Sequence, residues 1–277
     1  MSTLGIDVGA SKINYVLLKE DERVLEGEFP SLPQTKENFL QVCQKISQEI
    51  KSVPVEKIGI GLPGTIHKDE SLDFAPNFPA LAGWNIKKEL KKIFTTPVVI
   101  FNDAKAFIYA EAKLGAAQNF QHAVGLTLGS GLGLGIIINS TLYLGKGYAG
   151  ELAHTLVDID RNKEAEDLVS TKFFKDLKVD PIKLYQKAKA GSSKAKEIFK
   201  NFGQNLGVVI ANVVNMLNPE VVVIGGGLSH SYEYFSESAR ETAQKLIVNP
   251  ESKKVLILKA RLGSSAGAVG AALLAKI

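Results

Sequence analysis

The sequence has 277 residues, 45% of them hydrophobic, which is enough to bury a substantial core and to form about two domains. Its 33 basic and 29 acidic side chains leave a formal charge of +4 that is spread along the chain, so the composition does not indicate nucleic-acid binding. Cys43 is the only cysteine, which excludes an intrachain disulfide and a cysteine-cluster metal site.

The sequence contains no recognisable targeting segment. No uncharged apolar stretch reaches the roughly 20 residues that a membrane helix needs. Asp7 interrupts the first apolar run and no basic segment precedes it, which does not fit a signal peptide. Together with the single cysteine, these features predict a cytoplasmic protein without a membrane partner.

The first half of the chain is predicted to open with three apolar strands that end near Phe29. Residues 34–51 carry Phe39, Cys43 and Ile46 at helical spacing, so we expect a helix there. The remaining predicted elements are a strand at 57–60, a turn at 61–65, a loop to residue 84, a helix at 86–94, a strand at 97–101 and a helix at 104–114. This order is typical of an α/β domain.

The second half begins again with strands, at 123–128 and 132–138. Helical patterns dominate from 165 to 217, with Pro181 as a helix start and Asn218 as a stop. The chain is completed by a strand at 220–224, a helix at 232–246, a strand at 255–258 and a helix at 264–277. Because a glycine-turn hairpin opens each half, the sequence predicts a duplicated topology without a sequence repeat.

Two glycine-rich turns, each between two apolar strands, carry the strongest functional signal. Glycine lets a backbone approach an anion closely, and successive N–H groups in a tight turn form an anion-binding concavity. A P-loop or a Rossmann turn leads directly into a helix, whereas strands follow here, so neither fits. We therefore expect the turns to form two halves of one phosphate site. Its candidate residues are Asp7, Gly9, Ser11 and Lys12 in the first turn and Gly129, Ser130 and Gly131 in the second.

Asp103 stands at the end of a predicted buried strand, where α/β sheets open their ligand crevices. A carboxylate there would take a proton from a hydroxyl as it attacks phosphorus. The alternative is that Asp103 only caps the following helix. In the same way, Asp7 and Lys12 would supply a metal-linked carboxylate and a phosphate-seeking ammonium, or be a turn aspartate and an exposed lysine.

Two further groups have both a functional and a structural interpretation. Glu151 and His154 are three residues apart and would either hydrogen-bond sugar hydroxyls or form a surface pair. The run of Gly225, Gly226 and Gly227 after a predicted strand would either admit a flat adenine or ribose against the backbone or serve only as a turn.

Taken in this order, the segments resemble the ROK family of sugar kinases, within the actin-like, ribonuclease-H-like ATPase superfamily. The resemblance spans nearly the whole chain, and the order and spacing of the segments carry it. The matching segments are Asp7-Val8-Gly9-Ala10-Ser11-Lys12, Gly61-Leu62-Pro63-Gly64, Pro76-Asn77, Gly83-Trp84, Phe101-Asn102-Asp103-Ala104, Leu128-Gly129-Ser130-Gly131-Leu132-Gly133, Gly150-Glu151 with His154, and Ile224-Gly225-Gly226-Gly227.

The resemblance implies a two-lobed α/β kinase of the actin-like fold, with the sugar in an interlobe cleft and the nucleotide between the glycine hairpins. The small lobe would comprise residues 1–112 and 265–277, and the larger lobe residues 113–264. ATP and Mg²⁺ are the implied cofactors, with Asp7 as the candidate contact to the metal. Asp103 would be the general base for a sugar hydroxyl, usually that on C6. The other hydroxyls would be held by Asn77, Asn102, Glu151, His154 and Glu166.

One departure from the family pattern concerns zinc. Most members place a cysteine-rich zinc loop between the equivalents of His154 and Glu166, and the histidine is also a ligand. Here residues 155–164 form a short segment without cysteine, so we expect no structural zinc. The run from Lys163 to Glu166 resembles the zinc-free polyphosphate glucokinases of the family, which makes polyphosphate an alternative donor.

The sequence leaves alternatives open for the sugar substrate and for the functional class. Glucose is the expected sugar, and fructose, mannose and N-acetylmannosamine are alternatives that use much the same hydroxyl-binding residues. The family also includes sugar-sensing repressors with an N-terminal winged DNA-binding domain, and we expect none here because the first strand begins almost at residue 1. A degenerate, sugar-binding module does not fit the intact Asp7 and Asp103. The resemblance also implies a homodimer.

Overall fold

The computed structural model describes residues 1–66, 72–74 and 78–277, with the backbone alone for residues 73 and 74. The elements of the first half are β1 (Ser2–Val8), β2 (Lys12–Lys19), β3 (Glu22–Pro30), α1 (Lys36–Glu49), β4 (Lys57–Leu62), β5 (Thr65–Ile66), β6 (Leu72–Phe74), α2 (Ile86–Leu90), β7 (Val98–Asn102) and α3 (Asp103–Leu114). Those of the second half are β8 (Ala123–Leu128), β9 (Leu132–Ile138), β10 (Thr141–Leu142), β11 (Leu156–Asp158), β12 (Lys163–Glu164), α4 (Ala165–Val169), α5 (Thr171–Asp176), α6 (Pro181–Lys189), α7 (Ser193–Leu217), β13 (Val221–Gly225), α8 (Tyr232–Leu246), β14 (Leu256–Lys259) and α9 (Ala266–Leu274).

Each half of the chain is built around a mixed sheet, and the two sheets share one topology. The strand order is β3-β2-β1-β4-β7 in the first sheet and β10-β9-β8-β13-β14 in the second. In each, the first three strands along the chain are antiparallel neighbours, and two later strands add in parallel next to the first. The duplicated α/β topology predicted from the two glycine hairpins is confirmed.

Each sheet has its own hydrophobic core. In the first half, Phe39 and Ile46 of α1 are buried against the strands, as their helical spacing predicts. In the second half, α7 places Phe199 and Phe202 in the core over β8 and β13. A third cluster lies between the sheets and combines α3 and α9 with strand residues of both, so the two halves are joined by an apolar contact.

The helices α3 and α9 pack against each other between the two sheets, and small residues allow this close approach. A Cβ atom at Gly5 of β1 would overlap the carbonyl oxygen of Ala268, so a larger residue would displace α9 from the sheet. Gly270 of α9 lies in the same way against the carbonyl oxygen of Ala106 in α3. Every residue of α9 is buried, which explains why its sequence is apolar on all faces. This packing fixes the N-terminal end of α3 between the two halves.

The observed elements differ from the predicted ones mainly in their length. The helix predicted at 86–94 ends at Leu90. Residues 165–217, all of which the structure describes, divide into four helices, with Pro181 opening α6 behind the cap of Asp180. Asn218 ends α7 in the left-handed conformation with φ 45°, as its type favours. The segment 155–164 contains the short ribbon β11–β12, which the sequence pattern did not indicate.

Within the described residues, none of the helices is long and apolar enough to cross a membrane.

Candidate active site

Three candidate residues lie at the carboxyl edge of the first sheet. Asp7 of β1 is in register with Gly61 of β4, and Leu62 of β4 is in register with Asn102 at the end of β7. Since the carboxyl ends of parallel strands meet at one edge, Asp7 and Asp103 are brought together although they are far apart in the chain. Gly267 of α9 packs directly against the carboxyl group of Asp7. A Cβ atom at Gly267 would lie 2.5 Å from the carboxyl carbon of Asp7.

Asn102, rather than Asp103, is the residue that caps α3. Its side-chain oxygen accepts a hydrogen bond from the N–H of Lys105 at 3.1 Å, and its amide donates to the carbonyl oxygen of Gly64 at 3.0 Å. The N-cap position therefore belongs to Asn102 and not, as the capping interpretation had it, to Asp103. Asp103 is the first residue of the helix, and its Oδ1 atom accepts from the N–H of Ala104 at 2.8 Å.

The carboxyl group of Asp103 is suited to accepting a proton. Its pKa is raised to about 6, because the effects of burial and of the negative charge of Glu151, which raise it, outweigh that of the hydrogen bond from Ala104, which lowers it. A base with a pKa close to neutral pH is ionised in a working enzyme and still binds a proton strongly. Asp103 therefore has the position and the basicity that a general base requires.

Asp7 is the more strongly perturbed of the two carboxyl groups. Burial, together with the smaller effect of the Asp103 charge, raises its pKa to about 8. Mg²⁺ in nucleotide sites is commonly bound by one or two carboxylates plus the phosphates of the substrate. One carboxylate between a glycine turn and a helix N-terminus fits that pattern, and Asp7 is the residue that would contact the ion.

The first glycine turn is closed by a hydrogen bond from the N–H of Gly9 to the carbonyl oxygen of Lys12 at 2.9 Å. The carbonyl oxygen of Ser11, whose side chain is exposed, accepts from the N–H of Ser31 at 3.1 Å. The ammonium group of Lys12 is paired with Glu28 on β3, at 2.7 and 2.8 Å. To reach a phosphate, Lys12 would have to exchange this partner, so the structure does not bring it to the other candidates.

The second glycine turn is also closed by a backbone hydrogen bond, over a span one residue shorter. The N–H of Gly129 donates to the carbonyl oxygen of Gly131 at 2.9 Å, and the carbonyl oxygen of Gly129 accepts from the N–H of Thr171 at 2.8 Å. Ser130, between Gly129 and Gly131, is half-buried at the tip of the turn. Among the described residues, no atom lies within 4 Å of where a Cβ atom of Gly129 would stand, so this backbone is open to a ligand.

The third glycine run lies beside the second turn, because Gly225 of β13 is in register with Thr127 of β8. Packing accounts for two of its glycines. A Cβ atom at Gly225 would overlap the ring of Phe107, and one at Gly226, where φ is 79°, would overlap the backbone of Leu128. Around Gly227, by contrast, no described atom lies within 4 Å of the Cβ position, so packing does not account for this glycine.

Besides Asn77, Asn102 and Asp103 of the first half, the predicted sugar-binding residues come from two segments of the second half. Glu151 precedes a single 3₁₀ turn, Leu152–His154, that ends with His154, and both side chains are exposed, so they do not share an α-helical face. Glu166 of α4 has a side chain that is only 13% exposed. Its Oε2 atom accepts from the N–H of Leu132 at 2.9 Å and its Oε1 atom lies 2.9 Å from the ammonium of Lys172. Asn77 lies outside the described residues.

A cavity of about 410 Å³ extends from Asn102 and Glu151 along α3. It contains a residue that the sequence analysis missed, Lys105, whose ammonium donates to the carbonyl oxygen of Gly147 at 2.6 Å. Burial lowers the pKa of Lys105, and the charge of Glu151 opposes this shift. The available signal was a lysine within an otherwise apolar stretch at the start of a predicted helix.

The sequence profile of the ROK family matches residues 3–277. The chain belongs to the ROK family. A ROK family glucokinase from Streptomyces griseus, solved in complex with glucose and AMPPNP, has a similar structure with a TM-score of 0.88 and 26% sequence identity, over 100% of this chain and 99% of that one. The predicted family and the two-lobed, actin-like α/β fold are thus confirmed.

The similar curated proteins include both a kinase and a repressor. N-acetyl-D-glucosamine kinase from Vibrio atlanticus is 29% identical over 98% of this chain and 98% of its own length. The xylose repressor from Bacillus subtilis is 28% identical over 97% of this chain and 75% of its own length. The ROK family membership therefore leaves both an enzyme and a regulator to be considered.

The residues around His154 do not fit a ROK zinc site. The single cysteine, Cys43, is buried in the core of the first half, and burial raises the pKa of its thiol. In the part of the chain that the structure describes, no group of three His, Cys, Asp or Glu side chains could hold a metal ion. The Nδ1 atom of His154 lies instead 3.1 Å from the carboxylate of Glu164.

Proposed function

We propose that this ROK protein is a kinase that transfers the γ-phosphoryl group of ATP to a hydroxyl group of a hexose. The observation that carries the proposal is the placement of Asp103. Its half-buried carboxyl group stands at the N-terminus of α3, where the two sheets meet, and burial raises its pKa to about 6. Asn102 occupies the N-cap position, and the Asp103 carboxyl group accepts from the N–H of Ala104 in the first turn of the helix.

In the proposed reaction, the hydroxyl oxygen of the sugar attacks the γ-phosphorus while Asp103 accepts the hydroxyl proton. The bond between the γ-phosphorus and the bridging oxygen breaks, and ADP leaves. Backbone N–H groups of the two glycine turns hold the phosphates, and Asp7 contacts Mg²⁺, which neutralises phosphate charge when bound. Gly227 lies where the base or ribose approaches the backbone. The protein contributes positioning and electrostatics rather than a covalent intermediate.

We propose glucose as the sugar, with glucose 6-phosphate as the product. The similar structure from Streptomyces griseus was solved with glucose, which supports this choice. The Vibrio relative acts by its name on N-acetyl-D-glucosamine, so N-acetylated hexosamines are tested beside fructose and mannose. Exposed hydroxyl-binding residues such as Glu151 and His154 suit any of these sugars. Polyphosphate remains the second donor to test.

The experiment is a matrix of these sugars against ATP and polyphosphate, scored by formation of the phosphosugar. We expect one sugar to dominate with ATP and Mg²⁺. Asp103→Asn is the matched variant, because asparagine keeps the shape and loses the basic oxygen. It should reduce turnover by about 10²- to 10⁴-fold while sugar binding, measured by calorimetry, stays within about threefold. A variant with near-normal turnover would contradict the role of Asp103.

A sugar-sensing regulator is the second candidate, and the similarity to the xylose repressor favours it. Sugar binding without any phosphosugar in the whole matrix would support the regulator and contradict the kinase.

We further propose that residues 1–112 and 265–277 form one lobe and residues 113–264 the other, and that the lobes close on sugar and nucleotide. Closure would bring the two glycine turns together around the phosphates. Small-angle scattering should therefore give a smaller radius of gyration with both ligands, and an unchanged radius would contradict closure. The homodimer implied by the family remains a prediction, which sedimentation of the full chain tests.

A further inference from the structure

Lys105 is a buried cation that uses only part of its hydrogen-bonding capacity. It lies on α3, two residues after Asp103, and is 8% exposed. An ammonium group has three N–H donors, and among the described residues only the carbonyl oxygen of Gly147 accepts from this one, at 2.6 Å. We propose that Lys105 binds the sugar directly, by donating to the oxygen of a hydroxyl group whose hydrogen is accepted by Glu151. This inference rests on the proposed function, since Glu151 is a sugar-binding residue only there.

One face of α3 carries Lys105 into the cavity beside the proposed sugar site. Asn102, Lys105 and Tyr109 are spaced by three or four residues, so they share one side of the helix, and all three line the cavity of about 410 Å³. Glu151 lines the same cavity, whereas Asp103 does not. The hydroxyl group that Lys105 binds is therefore not the one that attacks phosphorus.

The charge of Glu151 acts on Lys105 although the two side chains do not touch. Burial lowers the pKa of Lys105, and the charge of Glu151 opposes this shift. In the described part of the chain, however, no carboxylate oxygen lies within 4.0 Å of the ammonium nitrogen. The two groups are therefore close enough to interact and far enough apart to admit a hydroxyl group between them.

The backbone holds both groups before a sugar binds. A Cβ atom at Gly150, where φ is 104°, would lie 2.5 Å from the carbonyl oxygen of Leu134 on β9, so the residue before Glu151 packs closely on the second sheet. Gly147 in the same loop accepts the hydrogen bond from Lys105, which attaches the loop to α3. A site that is ordered in advance loses less free energy when its ligand binds.

The two charged groups suit the two functions of a hydroxyl group. An ionised carboxylate only accepts hydrogen bonds and an ammonium only donates them, whereas a hydroxyl has one donor and two acceptor lone pairs. A hydroxyl that donates to Glu151 therefore accepts from Lys105, and both hydrogen bonds are charge-assisted. Asn102 is a weaker source of this donor, because it is uncharged and already gives one of its two amide N–H groups to Gly64.

The test is a cycle between the residue and the hydroxyl group, because a direct contact and a structural role then give different results. The measured quantity is kcat/KM for the preferred hexose and for derivatives that lack the hydroxyl at C2, C3 or C4. Lys105→Met keeps the length of the stem and removes the ammonium. One derivative should lower kcat/KM about 100-fold in wild type but only about 10-fold in Lys105→Met, which has already lost one charge-assisted bond. The other derivatives should lower it by the same factor in both proteins.

Two lysine variants and one glutamate variant complete the cycle. Lys113→Met makes the same change at an exposed lysine of the same cavity, whose ammonium lies 5.4 Å from the ring centre of Tyr109. It should leave every ratio within about twofold of wild type. Lys105→Arg keeps charged N–H donors and should restore most of the effect of the hydroxyl. Glu151→Gln should weaken the effect of the same hydroxyl that Lys105→Met identifies.

A second measurement keeps the ammonium group in place. In the full chain labelled with ¹³C-lysine, Lys105→Arg assigns the Cε signal of Lys105 by difference. This signal should shift in wild type when the hexose binds. At saturation, the derivative without the critical hydroxyl should shift it much less. This arm decides the proposal if Lys105→Met does not fold.

Equal losses for all derivatives in wild type and Lys105→Met, or the same Cε shift with all of them, would overturn the proposal. Lys105 would then be only a structural link between α3 and the loop of Gly147. Failure of the proposed function has a different signature, because wild type then binds a sugar without forming a phosphosugar, and the same cycle is measured with dissociation constants. A wild type that binds none of the sugars would overturn both proposals.

Discussion

Asp7 and Asp103 flank the same glycine, since a Cβ atom at Gly61 would lie 3.4 Å from Oδ1 of Asp7 and 3.6 Å from Cα of Asp103. Two carboxyl groups so close disfavour each other's ionisation, and the charge of Asp103 contributes to the raised pKa of Asp7. Asp103, with the lower pKa, loses its proton first. At neutral pH Asp103 is therefore ionised, whereas Asp7 retains its proton until the nucleotide and its metal bind.

The first prediction concerns the pH dependence of turnover. Because Asp103 must be ionised to accept a proton, kcat/KM for the sugar should fall on acidification through about pH 6, the pKa of the buried group. The charge of Glu151 raises this pKa, so Glu151→Gln should move the acid limb to lower pH as well as weaken sugar binding. The profile is measured from pH 5 to 8.5. If kcat/KM fell only near pH 4, in the ordinary range of aspartate, Asp103 would not be the titrating base.

The second prediction concerns stability. A pKa raised from 3.8 to about 8 means that folded Asp7 binds more protons than unfolded Asp7 between these pH values, so the free energy of unfolding falls as pH rises through that window. Asp7→Asn has no titrating carboxyl group at this position, so it should not show this fall in the free energy of unfolding. The melting temperature of the variant relative to wild type should therefore rise by on the order of 5 °C between pH 5 and pH 8, without nucleotide or metal.

Asp160→Asn is the matched control, because the side chain of Asp160 is exposed. Its melting temperature relative to wild type should be the same at both pH values. If Asp7→Asn behaved in the same way, the group would not hold a proton in the folded protein.

Local sequence patterns were sufficient to predict the duplicated α/β topology and the position of Asp103 at the end of a strand. The two glycine turns between apolar strands predicted the repeated sheets, because turn residues and strand periodicity are local signals. Asp103 was predicted at the site because the apolar run before it could only be a buried strand, and parallel strands end at one edge. The pattern at 264–277 likewise indicated a helix, which the structure has at Ala266–Leu274.

Contacts between distant segments could not be predicted in this way. Lys12 was assigned to phosphate from its place in the turn, but the register of β2 and β3 places Glu28 within 2.7 Å of its ammonium. Local periodicity does not give strand register. The partnership of His154 with Glu164 depends likewise on a ribbon of only a few residues, too short to produce an alternating pattern.

The third prediction tests whether Glu166 serves both substrates. Its carboxylate accepts from the N–H of Leu132, which directly follows the second glycine turn, so a sugar contact of Glu166 would link the proposed sugar site to the proposed phosphate turn. Glu166→Ala should raise KM for the sugar and for ATP by about tenfold each, because each loses the support of a charge-assisted hydrogen bond. A residue that only contacted sugar would change the sugar KM alone.

Two neighbouring lysines provide graded controls for this experiment. Lys172→Met removes the ammonium 2.9 Å from Glu166 but keeps the bond to Leu132, so it should give smaller changes of the same kind. Lys163→Met breaks an exposed pair with Asp176, and both KM values should stay within about twofold of wild type.

The fourth prediction compares two adjacent glycines. Among the described residues, no atom lies within 4 Å of a Cβ position at Gly227, whereas a Cβ atom at Gly226, with φ 79°, would overlap the backbone of Leu128. Gly227→Ala should therefore fold normally, while its methyl group blocks the approach of the nucleotide and raises KM for ATP about tenfold. Gly226→Ala should instead destabilise the fold by about 1–3 kcal/mol. Thermal melting and ATP kinetics of both variants provide the measurement, and an unchanged ATP KM in Gly227→Ala would mean that the nucleotide does not approach this backbone.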